Sequence, residues 1–328
     1  MSEDGFSKPI EAMQTVRSEL ADHGGSDAVL VGNQIEMIAS ALRSYGIRPP
    51  EMRTSDFGNE GAEVPLKSPT DEGPNLERII DESNFLPANF LQQGATVQRA
   101  VARVVLTQAH GQFPPGTGWA TGFLISPSLF LTNNHVIPDK GFAQKIRMQF
   151  NYQLNDQGVE SPTDSYIPAP EDVFHTNPAL DYTIIRLQTK PVTGDATFGT
   201  GMIEPGQRWG FIALNPIPVF RENQHVNIVQ HPRGRLKEIA LQDNEVHALF
   251  TNAVRYKTDT EPGSSGSPVL DNLWQLVALH HAGGERVDGT WINNQGIRID
   301  RIIADLQSTF GSPESGGQVL EQLGLPTS

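Results

Sequence analysis

The chain of 328 residues contains no cysteine. This excludes a disulfide framework, thiolate catalysis and thiolate metal sites, and it is compatible with a reducing compartment. Positive charge is scarce as well: 24 Lys and Arg stand against 38 Asp and Glu, a formal net charge of -14, and no run of Lys or Arg occurs. Binding the phosphates of a nucleic acid needs a concentrated basic face, so nucleic acid is excluded as the main ligand. About half of the acidic excess lies in residues 1–80, where 14 acidic side chains accompany 7 basic ones; such an excess ordinarily serves solubility. No stretch approaches the ~18 consecutive apolar residues of a membrane span. The opening MSEDGFSKPIEAMQ has acids where a secretory leader needs a basic region followed by an apolar run. The expectation is a soluble, cytoplasmic protein with no membrane contact.

What the sequence does have is frequent punctuation: 31 Gly and 24 Pro, with 37% hydrophobic and 19% charged residues. That mix favours a loop-rich β protein over a helical bundle. Near the start, Ile10, Met13, Val16 and Leu20 fall near helical spacing, as do Val31, Ile35, Ile38 and Leu42. Between them His23-Gly24-Gly25-Ser26-Asp27 supplies a stop and then N-cap residues. This predicts a helical hairpin over residues 1–46, too small to bury a core alone and so expected to dock on the main body or on a partner protein. Residues 47–75 carry Pro, Gly and charge without apolar period and read as a flexible linker. After residue 95 come short apolar runs broken by turns: AVARVVL, GFLISPSLFLT, YTIIRL, HVNIVQH, EVHALFTNAV, SPVL and LVALHH. Runs of that length and spacing predict an all-β sandwich or barrel. Helical spacing returns over Ile299–Phe310 through Ile299, Ile302, Ile303 and Leu306. The main domain is thus placed at 76–310, followed by a mobile tail at 311–328.

Three segments carry the chemistry. In Pro262-Gly263-Ser264-Ser265-Gly266-Ser267-Pro268, only Ser265 has a glycine two residues before it and another immediately after. Glycines there let the backbone turn sharply, exposing the hydroxyl and aiming the Gly263 and Ser265 amides at one spot, as an oxyanion hole requires. The segment Thr132-Asn133-Asn134-His135-Val136 follows a glycine-bearing strand, a turn at Ser126-Pro127-Ser128 and a second apolar strand. Such a hairpin holds an imidazole where it can take a proton from a hydroxyl. In Leu180-Asp181-Tyr182-Thr183-Ile184-Ile185-Arg186-Leu187 a carboxylate heads an apolar strand, placed to accept the Nδ1 proton of a histidine. Asp172, the nearest rival, lies in the polar stretch EDVFHTNP, better suited to a solvated loop.

Together, in this chain order, the three segments resemble the His, Asp and Ser motifs of trypsin-like serine peptidases, over about residues 96–310. The resemblance implies two antiparallel six-stranded β-barrels with a C-terminal helix, a small N-terminal helical segment added in front, and a triad of His135, Asp181 and Ser265. It implies a serine endopeptidase acting on protein or peptide substrates, with no cofactor. Within the family the likeness is strongest to bacterial glutamyl endopeptidase-type enzymes, through TNNHV, GSSGSPVL and LVALHHAGG. In those enzymes an acidic P1 side chain is read by a His on the strand after the nucleophile and by a hydroxyl residue five positions before it, which correspond here to His280 and Thr260. Substrate would pair with the backbone around Gly283. Adjacent histidines on a strand point to opposite faces, which argues against a metal site at His280, His281 and Glu285. The alternative to a recognition role is that His280 simply walls the pocket and His281 is the exposed member. Two departures stand out. Ser264 occupies the position where animal trypsins have the Asp that pairs with a new N-terminus, so the cleavage-site-like Arg78-Ile79-Ile80 lacks its partner. The N-terminus is expected not to be secretory, unlike that of the glutamyl enzymes. The helical segment and linker resemble, more loosely, adaptor regions of cytoplasmic trypsin-like domains in bacterial defence or signalling. The competing reading is a catalytically silent two-barrel binding module.

Overall fold

A computed structural model describes residues 86–192, 203–218, 220, 224–241, 244–287, 290–311 and 317–326, with backbone alone at 286, 287, 290 and 291. The expected hairpin at 1–46, the linker at 47–75 and the Arg78-Ile79-Ile80 segment lie outside the described residues.

The apolar runs become strands. The first sheet takes β1 (Val101–Leu106), β2 (Gly118–Leu124), β3 (Leu129–Thr132), β4 (Ile146–Phe150), β5 (Asp164–Tyr166), β6 (Phe174–Asn177) and β7 (Tyr182–Arg186), in the order β5-β4-β1-β2-β3-β7-β6. The second takes β8 (Asn227–Gln230), β9 (Glu238–Ala240), β10 (Val246–Leu249), β11 (Ala253–Tyr256), β12 (Pro268–Leu270), β13 (Leu276–Gly283) and β16 (Asn294–Arg298), in the order β10-β11-β16-β13-β12-β8-β9. Between β13 and β16 a two-stranded ribbon pairs β14 (Arg286–Val287) with β15 (Thr290–Trp291). All pairings are antiparallel.

Each main sheet has seven strands where six were expected. The difference arises where the barrels close. In the first, Pro168 bridges to Leu187, and the Ala169 amide donates to the Arg186 carbonyl at 2.7 Å. The chain after β5 thus meets β7 and shuts the barrel, while β6 adds a hairpin strand to β7. In the second, His225 bridges to Glu245, and the Val246 amide donates to the Gln224 carbonyl at 2.8 Å, with β9 as the added hairpin on β8.

Phe123, Phe130, Phe150, Tyr166 and Tyr182 are fully buried in the first barrel. Burying each such side chain contributes roughly 1.5–3 kcal/mol. Helix α1 (Asn89–Val97), unforeseen in the sequence, buries Phe90, whose carbonyl accepts from the indole of Trp274 at 2.8 Å. Two short helices lie in loops of the β domain, α2 (Lys140–Ala143), capped by the Asp139 side chain, and α3 (Pro205–Trp209). Helix α4 (Ile299–Phe310) has the expected bounds and buries Ile299, Ile302, Ile303 and Leu306. Asp305 on α4 accepts from the Tyr182 hydroxyl at 2.5 Å and contacts His175 Nε2 at 3.1 Å, which fastens the helix to the first barrel. The mobile tail is corrected in part: residues 317–322 form α5 (Gly317–Gln322), and Val319, Leu320, Leu323 and Leu325 are buried in the main core. Their apolar spacing offsets the ordering cost that glycines and polar neighbours imposed on the sequence reading. Among the described residues, no helix is long and apolar enough to cross a membrane.

Candidate active site

His135 sits on a turn that begins where β3 ends. The Asn133 carbonyl accepts from the amides of Val136 and Ile137, both at 3.2 Å. Val136 and Ile137 are buried, so the turn is anchored by apolar packing on one side of the imidazole. Asp181 enters β7 after a turn that Asn177 builds by accepting from the amides of Ala179 and Leu180 with its side chain. At Asp181 φ is +43°, a left-handed conformation that Asp tolerates better than most residues. The strain turns a fully buried carboxylate toward the β3 turn.

The carboxylate and imidazole meet there. His135 Nδ1 lies 2.8 Å from Asp181 Oδ2, and the His135 amide donates to Oδ1 at 3.0 Å. The Asn133 side-chain amide donates to the Asp181 carbonyl at 2.9 Å. Burial raises the proton affinity of Asp181, but the charge and hydrogen bonds of His135, joined by those of His281, outweigh it and hold the carboxyl well below the usual range. An ionised Asp181 accepts, so Nδ1 is the protonated nitrogen and Nε2 is left as the acceptor. Nε2 is itself buried and has no hydrogen-bond partner.

Ser265 lies on the turn before β12 and is 1% exposed. The turn is pinned to the first barrel by Thr121 of β2. The Thr121 amide donates to the Ser265 carbonyl at 2.9 Å, and its hydroxyl donates to the Gly263 carbonyl at 2.8 Å while accepting from the His231 amide at 3.0 Å. The Thr121 carbonyl accepts in turn from the hydroxyl of Thr132, three residues before His135, at 2.8 Å. Ser265 and His135 therefore hang from one short polar chain. Gly263 has φ +100° and Gly266 φ +84°. A β-carbon at Gly266 would collide with the Thr121 carbonyl and the Thr132 hydroxyl. The amides of Ser264, Gly266 and Ser267 are committed to the carbonyls of Glu261, His280 and Ser264. Ser264 Oγ accepts from the Glu261 amide at 3.2 Å, and the Glu261 carboxylate is held by Arg233 and Arg235.

The three expected substrate-binding residues fall on one side of the second barrel. His280 and Gly283 lie on β13 opposite Gly296 and Asn294 of β16, and Thr260 donates to Asn294 Oδ1 at 2.9 Å. His280 is 4% exposed, with Nδ1 2.8 Å from the Tyr256 hydroxyl. Burial first, and then His281 and His135, lower its pKa to about 3, so this imidazole is neutral. Asp172 is exposed and lines a groove with Thr107, Ile146 and Pro168. The alternative in which His281 is the exposed member does not hold: it is 1% exposed, and its Nδ1 lies 3.1 Å from Asp181 Oδ2. The alternation along β13 does hold, with His280 turned to Tyr256 and His281 to Asp181. What the sequence reading missed is that both faces of the strand are covered. Among the described residues, no group of three or more His, Asp or Glu is arranged to hold a metal ion.

Residues 120–279 match the family model described as the trypsin-like peptidase domain. The chain is 33% identical over 276 residues to the uncharacterized protein y4fB of Sinorhizobium fredii, covering 73% of this chain and 40% of that protein. It is 30% identical over 202 residues to the secreted RxLR effector protein 73 of Plasmopara viticola, covering 56% of this chain and 45% of that one. The chain thus spans less than half the length of these relatives. The crystal structure of Deg5 matches with a TM-score of 0.42 at 15% identity, over 65% of this chain and 90% of that one. The matched segment runs from β2 into β13, so the similarity to a trypsin-like peptidase domain spans parts of both antiparallel sheets.

Proposed function

We propose that the chain is a serine endopeptidase in which Ser265 is the nucleophile, His135 the general base and Asp181 the orienting acid. The observation that carries the reading is the His135–Asp181 pair, whose Nδ1 bond leaves a lone pair on a buried Nε2. The Ser265 hydroxyl attacks the scissile carbonyl as its proton passes to Nε2. The amides of Gly263 and Ser265 receive the oxyanion, and the amine leaves with the proton from Nε2. Water then repeats the sequence on the acyl-enzyme, returning the proton to Ser265. Asp181 keeps the imidazole in the right tautomer and stabilises the imidazolium as it forms.

For P1 the reading favours Glu or Asp, following the likeness to glutamyl endopeptidases. The Tyr256 hydroxyl lies 2.8 Å from Nδ1 of a neutral His280; in the tautomer where that hydroxyl donates, the imidazole carries its proton on Nε2, a donor suited to a carboxylate. The Thr260 hydroxyl already donates to Asn294, so His280 is the stronger determinant. Residues 1–75 are proposed as an adaptor or pro-segment separable from catalysis.

The test is labelling of the intact chain with a fluorophosphonate, together with a cleavage profile on a peptide library. Labelling that Ser265→Ala abolishes supports the enzyme. Absence of labelling in folded protein favours a catalytically silent binding module. A profile dominated by P1 Lys or Arg overturns the acidic preference.

A further inference from the structure

Strand β6 is not needed to close the first barrel: it pairs with β7 at the end of the sheet, outside the ring shut by Pro168 and Leu187. Its Thr176 stands opposite Thr183 of β7. The Thr176 hydroxyl lies 2.7 Å from Asn134 Nδ2, 2.6 Å from Thr183 Oγ1 and 3.2 Å from the Tyr182 carbonyl. The buried Thr183 hydroxyl donates in turn to the Ile137 carbonyl at 2.8 Å. Asn134 and Ile137 flank His135 on the β3 turn, whereas Tyr182 and Thr183 directly follow Asp181.

Each hydroxyl has one proton to give, and this orders the contacts. Thr183 spends its proton on the Ile137 carbonyl, which can only accept. The Thr183 oxygen therefore accepts from Thr176, and the Thr176 oxygen accepts from the Asn134 amide. Turning the Asn134 amide over would bring its oxygen against a hydroxyl with no proton left, so the nitrogen faces Thr176. The hydrogen bonds run one way, from Asn134 through Thr176 and Thr183 to Ile137: they leave the His135 turn on one side of the imidazole and return to it on the other. Strand β6 is itself held by His175, whose Nε2 lies 3.1 Å from Asp305 of α4.

We infer that Thr176 is a positioning residue for His135: carried on the added strand, its hydroxyl couples the turn that bears the proposed base to the strand that bears the proposed acid. The inference rests on the proposed triad. On one side of the imidazole the turn is anchored by the buried Val136 and Ile137. On the other side Asn134 is half-buried and polar, and its side chain is tied to Thr176. Without that tie the turn keeps its apolar anchor but gains freedom to tilt, which moves Nε2 relative to the Ser265 hydroxyl. A displacement of about 1 Å at a reacting group costs on the order of 100-fold in rate. Thr176 touches no substrate in this scheme; it acts through Asn134 and Thr183.

The experiment compares Thr176→Val, Thr176→Ser, Asn134→Ala and the Thr176→Val/Asn134→Ala pair in the full chain. It reads the saturating rate of fluorophosphonate labelling and the half-saturating probe concentration separately, alongside the melting curve. Valine keeps the shape and β-branching of threonine and removes the hydroxyl; serine keeps the hydroxyl. In Thr176→Val the saturating rate should fall on the order of 10- to 100-fold with the half-saturating concentration unchanged, as for a base moved off its line of attack. Thr176→Ser should restore the rate. Asn134→Ala should lower the rate in the same direction, and the pair should be no slower than the worse single variant, because both cut one chain of bonds. A wild-type saturating rate in Thr176→Val, equal impairment of the valine and serine variants, or a loss confined to the half-saturating concentration overturns the inference. Should Thr176→Val fail to fold, a wild-type rate in Asn134→Ala overturns it instead. Labelling that survives Ser265→Ala refutes the triad itself, a separate outcome.

Discussion

The two barrels differ in what fills them and in what they hold out. The first is packed with Phe123, Phe130, Phe150 and Tyr166, and it mounts His135 and Asp181 at adjoining strand ends. The second has a smaller aliphatic cluster of Val226, Ile228, Val246, Val254, Val269, Val277 and Ala278 around Tyr256, whose hydroxyl is spent on His280. A dense apolar core tolerates little movement, which suits the proposed base, whose geometry must not drift. A core containing a phenol hydrogen-bonded to an imidazole can present a polar group to a substrate. Between the barrels stand Thr121 and His281, each reaching from one to the other.

The comparison can be broken first at the nucleophile. Ser265→Ala and His135→Ala should each remove hydrolysis by about 10⁶-fold with an unchanged melting curve. Near wild-type turnover in either would place the chemistry elsewhere. In the first barrel, Asp181→Asn should lower turnover on the order of 10⁴-fold by presenting the wrong tautomer. Asp172→Asn, on its exposed groove, should leave turnover within a few-fold, and a reversed ranking would move the acid's role.

Thr121→Val tests the staple between barrels. It strands the His231 amide and the Gly263 carbonyl in a buried place, at about 1–3 kcal/mol for each unsatisfied group. Both the melting temperature and the labelling rate should drop. A drop in stability alone would separate the staple from the oxyanion turn.

The smallest effects are expected in the second barrel. His280→Gln should weaken discrimination for P1 Glu more than it slows labelling, measured as a ratio of kcat/KM between Glu and Ala peptides. It should also change stability in acid. The folded-state value of about 3 lies below the ordinary 6.5 of histidine, so below about pH 6.5 the unfolded chain binds a proton that the folded chain refuses. Stability from this group is complete above that pH and is lost as pH falls toward about 3, by up to ~1.4 kcal/mol per unit. His280→Gln should flatten the slope in urea titrations across that window. An unchanged slope would mean that His280 is not a neutral buried group.

What short segments encode was legible in the sequence. The apolar runs AVARVVL, YTIIRL and LVALHH became β1, β7 and β13 because alternation and turn residues act over a few positions. Helix α4 was legible for the same reason, its four apolar residues marking one face. The candidate residues His135, Asp181 and Ser265 could be named because each sits in a local frame of strand end or glycine turn. The added seventh strands, the folded 317–325 segment and the burial of His281 were decided by the tertiary structure. Thr121 meets Gly263 across 142 positions and His281 meets Asp181 across 100. No periodicity reaches that far: a histidine next to a histidine shows only that the two face opposite ways, and barrel closure alone puts a carboxylate against one and a phenol against the other.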